Sequence, residues 1–181
     1  MMDVLKIIDH YYGEGDSKLK SLLLNHSQSV AQRALKVAEN HPELNLDREF
    51  LYDASMLHDI GIIECHAPSI YCHGWADYIC HGIIGSRMLR WYGVDNRYAR
   101  VCARHTGAGL TQKDIVCQEL PLHATSLMPE TIEEKVICYA DKFFSKTHLG
   151  EEKTLEHVER SLSRFGKEGL ERFRQWHQIF S

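Results

Sequence analysis

The chain is predicted to be all-α, a helical bundle around a metal centre, and three observations carry that prediction. No segment alternates apolar and polar residues with the clean period of two expected of a half-buried strand. Apolar residues instead recur three and four apart through most of the 181 residues. On those apolar stripes, or at their ends, stand His26, His58, Asp59, His81, His105 and Asp141.

The stretch Met56-Leu57-His58-Asp59-Ile60-Gly61 organises the rest. A carboxylate beside an imidazole at the end of an apolar helix costs several kcal/mol unless something pairs with the charge, and a divalent cation does so best. Further ligands are therefore expected from elsewhere in the chain.

In order, residues 2 to 12 form a short helix with Val4, Leu5, Ile8 and Tyr12 inward, closed by Gly13 and Gly15 and packed on the core as a lid. From Asp16 or Ser17, both good helix starters, a long helix runs toward His41-Pro42. His26 points where its leucines point. Taken alone it reads as a core histidine bonded to a carbonyl; it gains meaning only with the others.

Asp47 caps a third helix that carries Phe50, Leu51, Ala54 and Leu57 inward up to His58-Asp59, with Gly61 as its stop. Residues 62 to 78 read as a functional loop over the site. Within and just after it, Cys65-His66, Cys72-His73 and Cys80-His81 repeat a dipeptide at spacings that match no closed zinc module, so Cys65 and Cys72 are read as ordinary thiols.

A helix from about Asp77 to Tyr92, stopped by Gly93, places His81 with Ile84 and Met88. Asp95 caps the next, where Tyr98, Val101, Cys102 and His105 share a stripe. Thr111 with Asp114, and Thr131 with Glu134, have the spacing of reciprocal caps. The helix from Ile132 to about Lys146 puts Asp141 on its buried face. After Gly150 two amphipathic helices follow, with Leu155, Val158, Leu162 and Phe165, then Leu170, Phe173, Trp176 and Phe180, as packing residues.

Composition narrows the function. A hydrophobic fraction of 44% supports a real core, and a net charge of −4 leaves no basic footprint for duplex nucleic acid. No apolar run approaches the roughly 20 residues that span a membrane. With no export signal at the N-terminus, the six cysteines read as reduced thiols of a cytoplasmic protein.

The ordered set His26, His58-Asp59, His81, His105 and Asp141, with His-Asp-Ile-Gly at 58 to 61, resembles the HD superfamily of metal-dependent phosphohydrolases over about residues 17 to 146. The resemblance implies residues 1–150 as the HD domain and 151–181 as a C-terminal helical extension of it. It further implies that His26, His58, Asp59 and Asp141 hold one divalent ion, and that Asp59, the catalytic residue, bridges to a second held by His81 and His105. Iron, manganese and zinc all suit such ligands. Arg104 through Leu110, Met128 through Lys135 and Tyr139 through Lys142 are similar to a group of small uncharacterised proteins of this type; the His-Thr and Ala-Asp elements are also similar to bacterial symmetrical dinucleoside tetraphosphatases. Many relatives place a basic residue directly after His-Asp-Ile-Gly, where this chain has Ile62.

Two metals about 3.5–4 Å apart would activate a bridging water, implying hydrolysis of a small phosphoester or phosphoanhydride, nucleotide-like in character. Arg104, Lys142 and Lys146 are the candidate phosphate-binding cations, with Thr106 a hydroxyl donor. A homo-oligomer is compatible with the sequence. Two alternatives use the same ligands or the same pocket: a di-iron oxygenase of this superfamily, and a non-catalytic nucleotide-binding regulator.

Overall fold

Three-residue spacing and capping side chains turn into helices almost where the sequence places them. The computed structural model describes residues 2–15 and 17–181. Helix α1 (Val4–Tyr12) is capped by Asp3 and buries Val4, Ile7 and Ile8. Leu5, expected inward, is exposed, and Ile7 takes its place. The turn to α2 (Lys18–Asn40) is held by the buried Lys20, whose ammonium lies 2.7 Å from Asp9 and donates to the Gly13 carbonyl at 2.8 Å. Ser17 caps α2 by accepting from the Lys20 amide; Asp16, the alternative start, lies outside the described residues.

Asp47 caps α3 (Arg48–Leu57) by accepting from the Phe50 amide at 2.9 Å. Residues 62 to 78, expected to lack regular structure, are ordered by local pairing. A 3-10 turn (Ile60–Glu64) leads into a hairpin in which β1 (His66–Ala67) runs antiparallel to β2 (Cys72–His73). Its strands are two residues long, too short for alternation to register in a sequence. Cys65 and Cys72 are buried free thiols within it.

Gly61 does not end α3 in the left-handed conformation expected of a stop. The helix ends at Leu57, and Gly61 instead lies against the next helix, where a Cβ would collide with the His81 carbonyl and the Gly85 amide. That helix, α4 (His81–Tyr92), follows a short 3-10 turn (Tyr78–Cys80) and does end at a left-handed Gly93. It packs on α5 (Asn96–Arg104), capped by Asp95.

Helix α6 (Gln112–Cys117) has the full reciprocal cap between Thr111 and Asp114. Helix α7 (Ile132–Asp141) has only half of one. Thr131 accepts from the Glu134 amide, but the buried Glu134 carboxylate accepts from the Glu130 amide and pairs with Arg100 and Arg104 instead. Two guanidinium groups outcompete one amide for that carboxylate.

Helix α7 also stops at Asp141, short of the expected Lys146. Amides of Lys142, Phe143 and Phe144 bond three residues back, so the chain unwinds and turns. Had the helix continued at about 100° per residue, Lys146 would have projected about 140° away from Asp141.

Helices α8 (Leu155–Ser163) and α9 (Lys167–Phe180) follow. Phe173 stacks on the buried Tyr139 with centroids 5.4 Å apart, and Phe180 meets the same ring edge-on. Val158, Leu162 and Trp176 join one core with α2, α3 and α7. Phe165, expected to pack, is instead 67% exposed, for it falls in the turn after α8.

Candidate metal centre

Five of the six histidine and aspartate positions stand at helix ends, which brings several elements to one point. His58 terminates α3 and Asp59 follows it; His81 opens α4, His105 terminates α5 and Asp141 is the last residue of α7. Only His26 comes from mid-helix, on the buried face of α2. All six are buried.

They converge as two groups that share Asp59. Ligand atoms of His26, His58, Asp59 and Asp141 lie within 4.8 Å of one another, as do those of Asp59, His81 and His105, and either group could hold a metal ion. The two oxygens of Asp59 divide between them. Oδ2 faces His58 Nε2 at 3.0 Å and His26 Nε2 at 3.1 Å; Oδ1 faces His81 Nε2 at 3.3 Å and His105 Nε2 at 3.4 Å. Asp141 Oδ1 closes the first group, 3.0 Å from His26 Nε2.

The imidazoles are oriented from behind. Nδ1 of His58, His81 and His105 lies 2.6, 2.6 and 2.7 Å from the carbonyls of Ser55, Tyr78 and Cys102, each three residues earlier. A carbonyl only accepts, so each Nδ1 donates and each Nε2 is turned to the centre, the arrangement of metal-binding histidines. His81 and His105 then bring their Nε2 atoms within 3.0 Å of each other. Two lone pairs at that distance repel unless a cation or proton lies between them.

The donor set fits a divalent ion on a second ground. Asp59 Oδ1 is buried without a hydrogen-bond partner and faces only the lone pairs of His81 and His105, whereas Oδ2 is paired with the Lys146 ammonium. An orphaned buried acceptor is costly, and a coordinated cation removes the cost. No cysteine belongs to either group among the described residues.

The electrostatics separate the histidines. Burial opposes protonation of His58, but the carboxylates of Asp59 and Asp141 overcome it and raise the imidazole to about 9. Burial lowers His81 to about 3 and also lowers His105, so this pair stays neutral and free to donate. Despite burial, His58 and Lys146 hold Asp59 well below the usual carboxylate range, and Lys142 does the same for Asp141.

A cation must displace the proton from His58. Below about pH 9, where that imidazole is charged, metal uptake is expected to release about one proton from this group, with affinity falling as pH falls; above about 9 that release disappears. Titration calorimetry in buffers of different ionisation enthalpy, at pH 7.5 and 10, reads the difference. Equal proton release at both would remove His58 from the linkage.

Of the expected substrate-binding residues, three reach the site. Lys142 Nζ lies 2.7 Å from Asp141 Oδ2 and donates to the His105 carbonyl, and Lys146 Nζ lies 2.6 Å from Asp59 Oδ2. Thr106, Lys142 and Lys146 line a cavity of about 320 Å³ that opens on Asp141. Arg104 does not: Glu130 and Glu134 hold its guanidinium at 2.8 and 3.2 Å. Adjacency to His105 in sequence misleads because successive helical side chains diverge by about 100°. A larger groove of about 680 Å³, near Trp75, Arg87 and Leu122, contains none of the six clustered residues in its lining.

Sequence reasoning also missed two residues. Tyr78 stacks on His81, with centroids 4.7 Å apart, at the end of what read as a loop. Lys153 lines the cavity from beyond α7, and its place in the charged run Glu151-Glu152-Lys153 makes it look like ordinary surface.

The HD domain family profile matches residues 23–145, from the turn of α2 that carries His26 to just beyond Asp141. The chain belongs to the HD domain family. An uncharacterised protein of Methanocaldococcus jannaschii is 33% identical to it over 140 residues, 72% of this chain and 75% of that protein. A tRNA (cytidine(56)-2'-O)-methyltransferase of Picrophilus torridus is 32% identical over 128 residues, 71% of this chain but 33% of that protein. The protein of the same name from Thermoplasma volcanium is 29% identical over 160 residues, 88% of this chain and 39% of its own length. This HD protein therefore spans only about a third of the methyltransferases it matches. No solved structure matches it. No helix among the described residues is long and apolar enough to cross a membrane.

Proposed function

We propose that this HD protein is a metal-dependent phosphohydrolase acting on a small phosphoester or phosphoanhydride, nucleotide-like in character. The observation that carries the reading is the divided Asp59 carboxylate, with one histidine pair at each oxygen. His26, His58, Asp59 and Asp141 would hold one divalent ion, and Asp59, His81 and His105 a second, with iron, manganese and zinc the candidates. Bound there, such ions supply Lewis acidity and a water of lowered pKa, near 7 rather than about 15.7.

The chain's own groups supply geometry and charge. Carbonyl-anchored imidazoles keep their Nε2 atoms aimed inward without reorganisation. Lys142 binds one oxygen of Asp141 and leaves the other to His26, so the carboxylate cannot rotate away. Lys142 and Lys146, both half-buried and both kept protonated by the neighbouring aspartates against the pull of burial, offer positive charge to a phosphoryl group in the cavity. Thr106 adds a hydroxyl donor at the same wall.

Methyl transfer in the two relatives belongs to proteins of which this chain matches about a third, so that activity is not extended to it. The net charge of −4 also disfavours duplex nucleic acid as the main partner. A di-iron oxygenase would use the same donors, and a nucleotide-binding regulator the same cavity. Protein loaded with manganese under anaerobic conditions, assayed for phosphate release over a panel of nucleotides and simple phosphoesters, separates the three. Phosphate release is the expected result. Turnover that requires iron, consumes dioxygen and releases no phosphate would replace the hydrolase with the oxygenase, and nucleotide binding without turnover in any metal form would favour the regulator.

A further inference from the structure

Three lysines reach the cavity beside Asp141, and they are not equivalent. Lys142 and Lys146 pair with aspartates, whereas both hydrogen bonds of the half-buried Lys153 go to backbone carbonyls, Phe144 at 3.0 Å and Lys142 at 3.4 Å. Among the described residues no carboxylate lies within ion-pair distance of it. Burial presses its pKa down, a cost that an anion in the cavity would relieve.

The wall around Lys153 is apolar. Val158 and Leu162 of α8 line the cavity, and Phe165, exposed though large, stands at the end of α8 as part of the same lining. Gln118 fixes that corner by donating to the Phe165 carbonyl at 3.4 Å. Lys146, Lys153 and all of α8 lie beyond the residues that the family profile matches, so this wall stands outside the profile-matched part of the chain. A volume of about 320 Å³ is at the lower end of small-molecule sites and far more than a bare phosphate fills.

We propose that Lys153 and the α8 wall select the substrate: Lys153 binds its acidic group, and Phe165 with Leu162 packs on an apolar or planar body attached to it. The substrate class is an organic phosphate with such a body, as opposed to inorganic polyphosphate or a small polar phosphoester. This rests on the hydrolase reading for the identity of the site, but it is tested by binding alone.

Methylphosphonate and phenylphosphonate share a charged head, lack a scissile phosphoester bond and differ in body. Their dissociation constants are measured by ligand-observed NMR on the full chain as purified, on Phe165→Ala, Lys153→Met and Lys153→Arg. Each variant is first matched to the wild type by circular dichroism. Phenylphosphonate is expected to bind roughly tenfold more tightly than methylphosphonate to the wild type. Phe165→Ala, at a position 67% exposed, should reduce that preference to about twofold and leave methylphosphonate unchanged. Lys153→Met should weaken both ligands by about five- to tenfold, with Lys153→Arg restoring most of the loss. Equal binding of the two phosphonates, a preference that survives Phe165→Ala, or full affinity in folded Lys153→Met would overturn the inference. Selective phosphonate binding by a protein that releases no phosphate from any ester would instead leave the wall in place and remove only the hydrolase reading.

Discussion

Asp59→Ala is expected to leave less than about 0.2 metal ion per chain, while His105→Ala retains about one. Asp59 presents Oδ2 to His26 and His58 and Oδ1 to His81 and His105, so its loss takes a ligand from both groups at once. His105 belongs to the second group alone, and its removal leaves the set of His26, His58, Asp59 and Asp141 whole. If the centre hydrolyses a phosphoester as proposed, phosphate release should fall at least about a thousandfold in Asp59→Ala, equivalent to about 4 kcal/mol of transition-state stabilisation. Asp59→Asn keeps the side-chain volume and separates ligand loss from a packing defect. Metal analysis on protein purified without chelator reads both numbers. Equal, full metal content in Asp59→Ala and His105→Ala would refute the shared-carboxylate assignment.

Gly61→Ala should be among the most damaging single methyl groups in the chain. The added Cβ meets the His81 carbonyl and the Gly85 amide, and comes within 2.9 Å of the Gly85 Cα. These are backbone atoms of α4, so no side chain can rotate to make room. Relief requires α4 to move away from the turn after Asp59, and α4 carries His81. A loss of about 3 kcal/mol or more is expected, lowering Tm by roughly 6–12 °C for a chain of this size. The control is Gly169→Ala in α9, where nothing lies within 4 Å of the added carbon. Alanine there removes a helix penalty of about 1 kcal/mol and should leave Tm unchanged or raise it. Equal melting of the two variants would show that α4 and the turn after Asp59 tolerate separation at this contact.

Much of this fold was legible because helices announce themselves locally. Ser17, Asp47, Asp95 and Thr111 cap helices where the sequence reading places them, since an N-cap side chain and its amide partner lie within three residues. Likewise, a histidine on an apolar stripe is a local fact, and the six residues read as converging do lie together.

What escaped depends on contacts between distant segments. The same Gly61 looks like a helix stop until its neighbour across α4 is known. Arg104 stands next to His105 in sequence but pairs with Glu130 and Glu134, and the partner cannot be inferred from a single helix. Lys146 reaches Asp59 only because α7 unwinds at Asp141. Lys153 reaches the cavity because the chain folds back over the site after leaving α7.

The sequence by itself determined the helical class, most of the helix starts and the inward placement of the six clustered histidines and aspartates, because periodicity and capping act within a few residues. Tertiary structure alone decided that Asp59 turns one oxygen to each histidine pair, which lysines enter the cavity and which glycine must stay bare. Those outcomes depend on approaches of about 3 Å between segments far apart in the chain, where charge and steric exclusion act through space rather than along it.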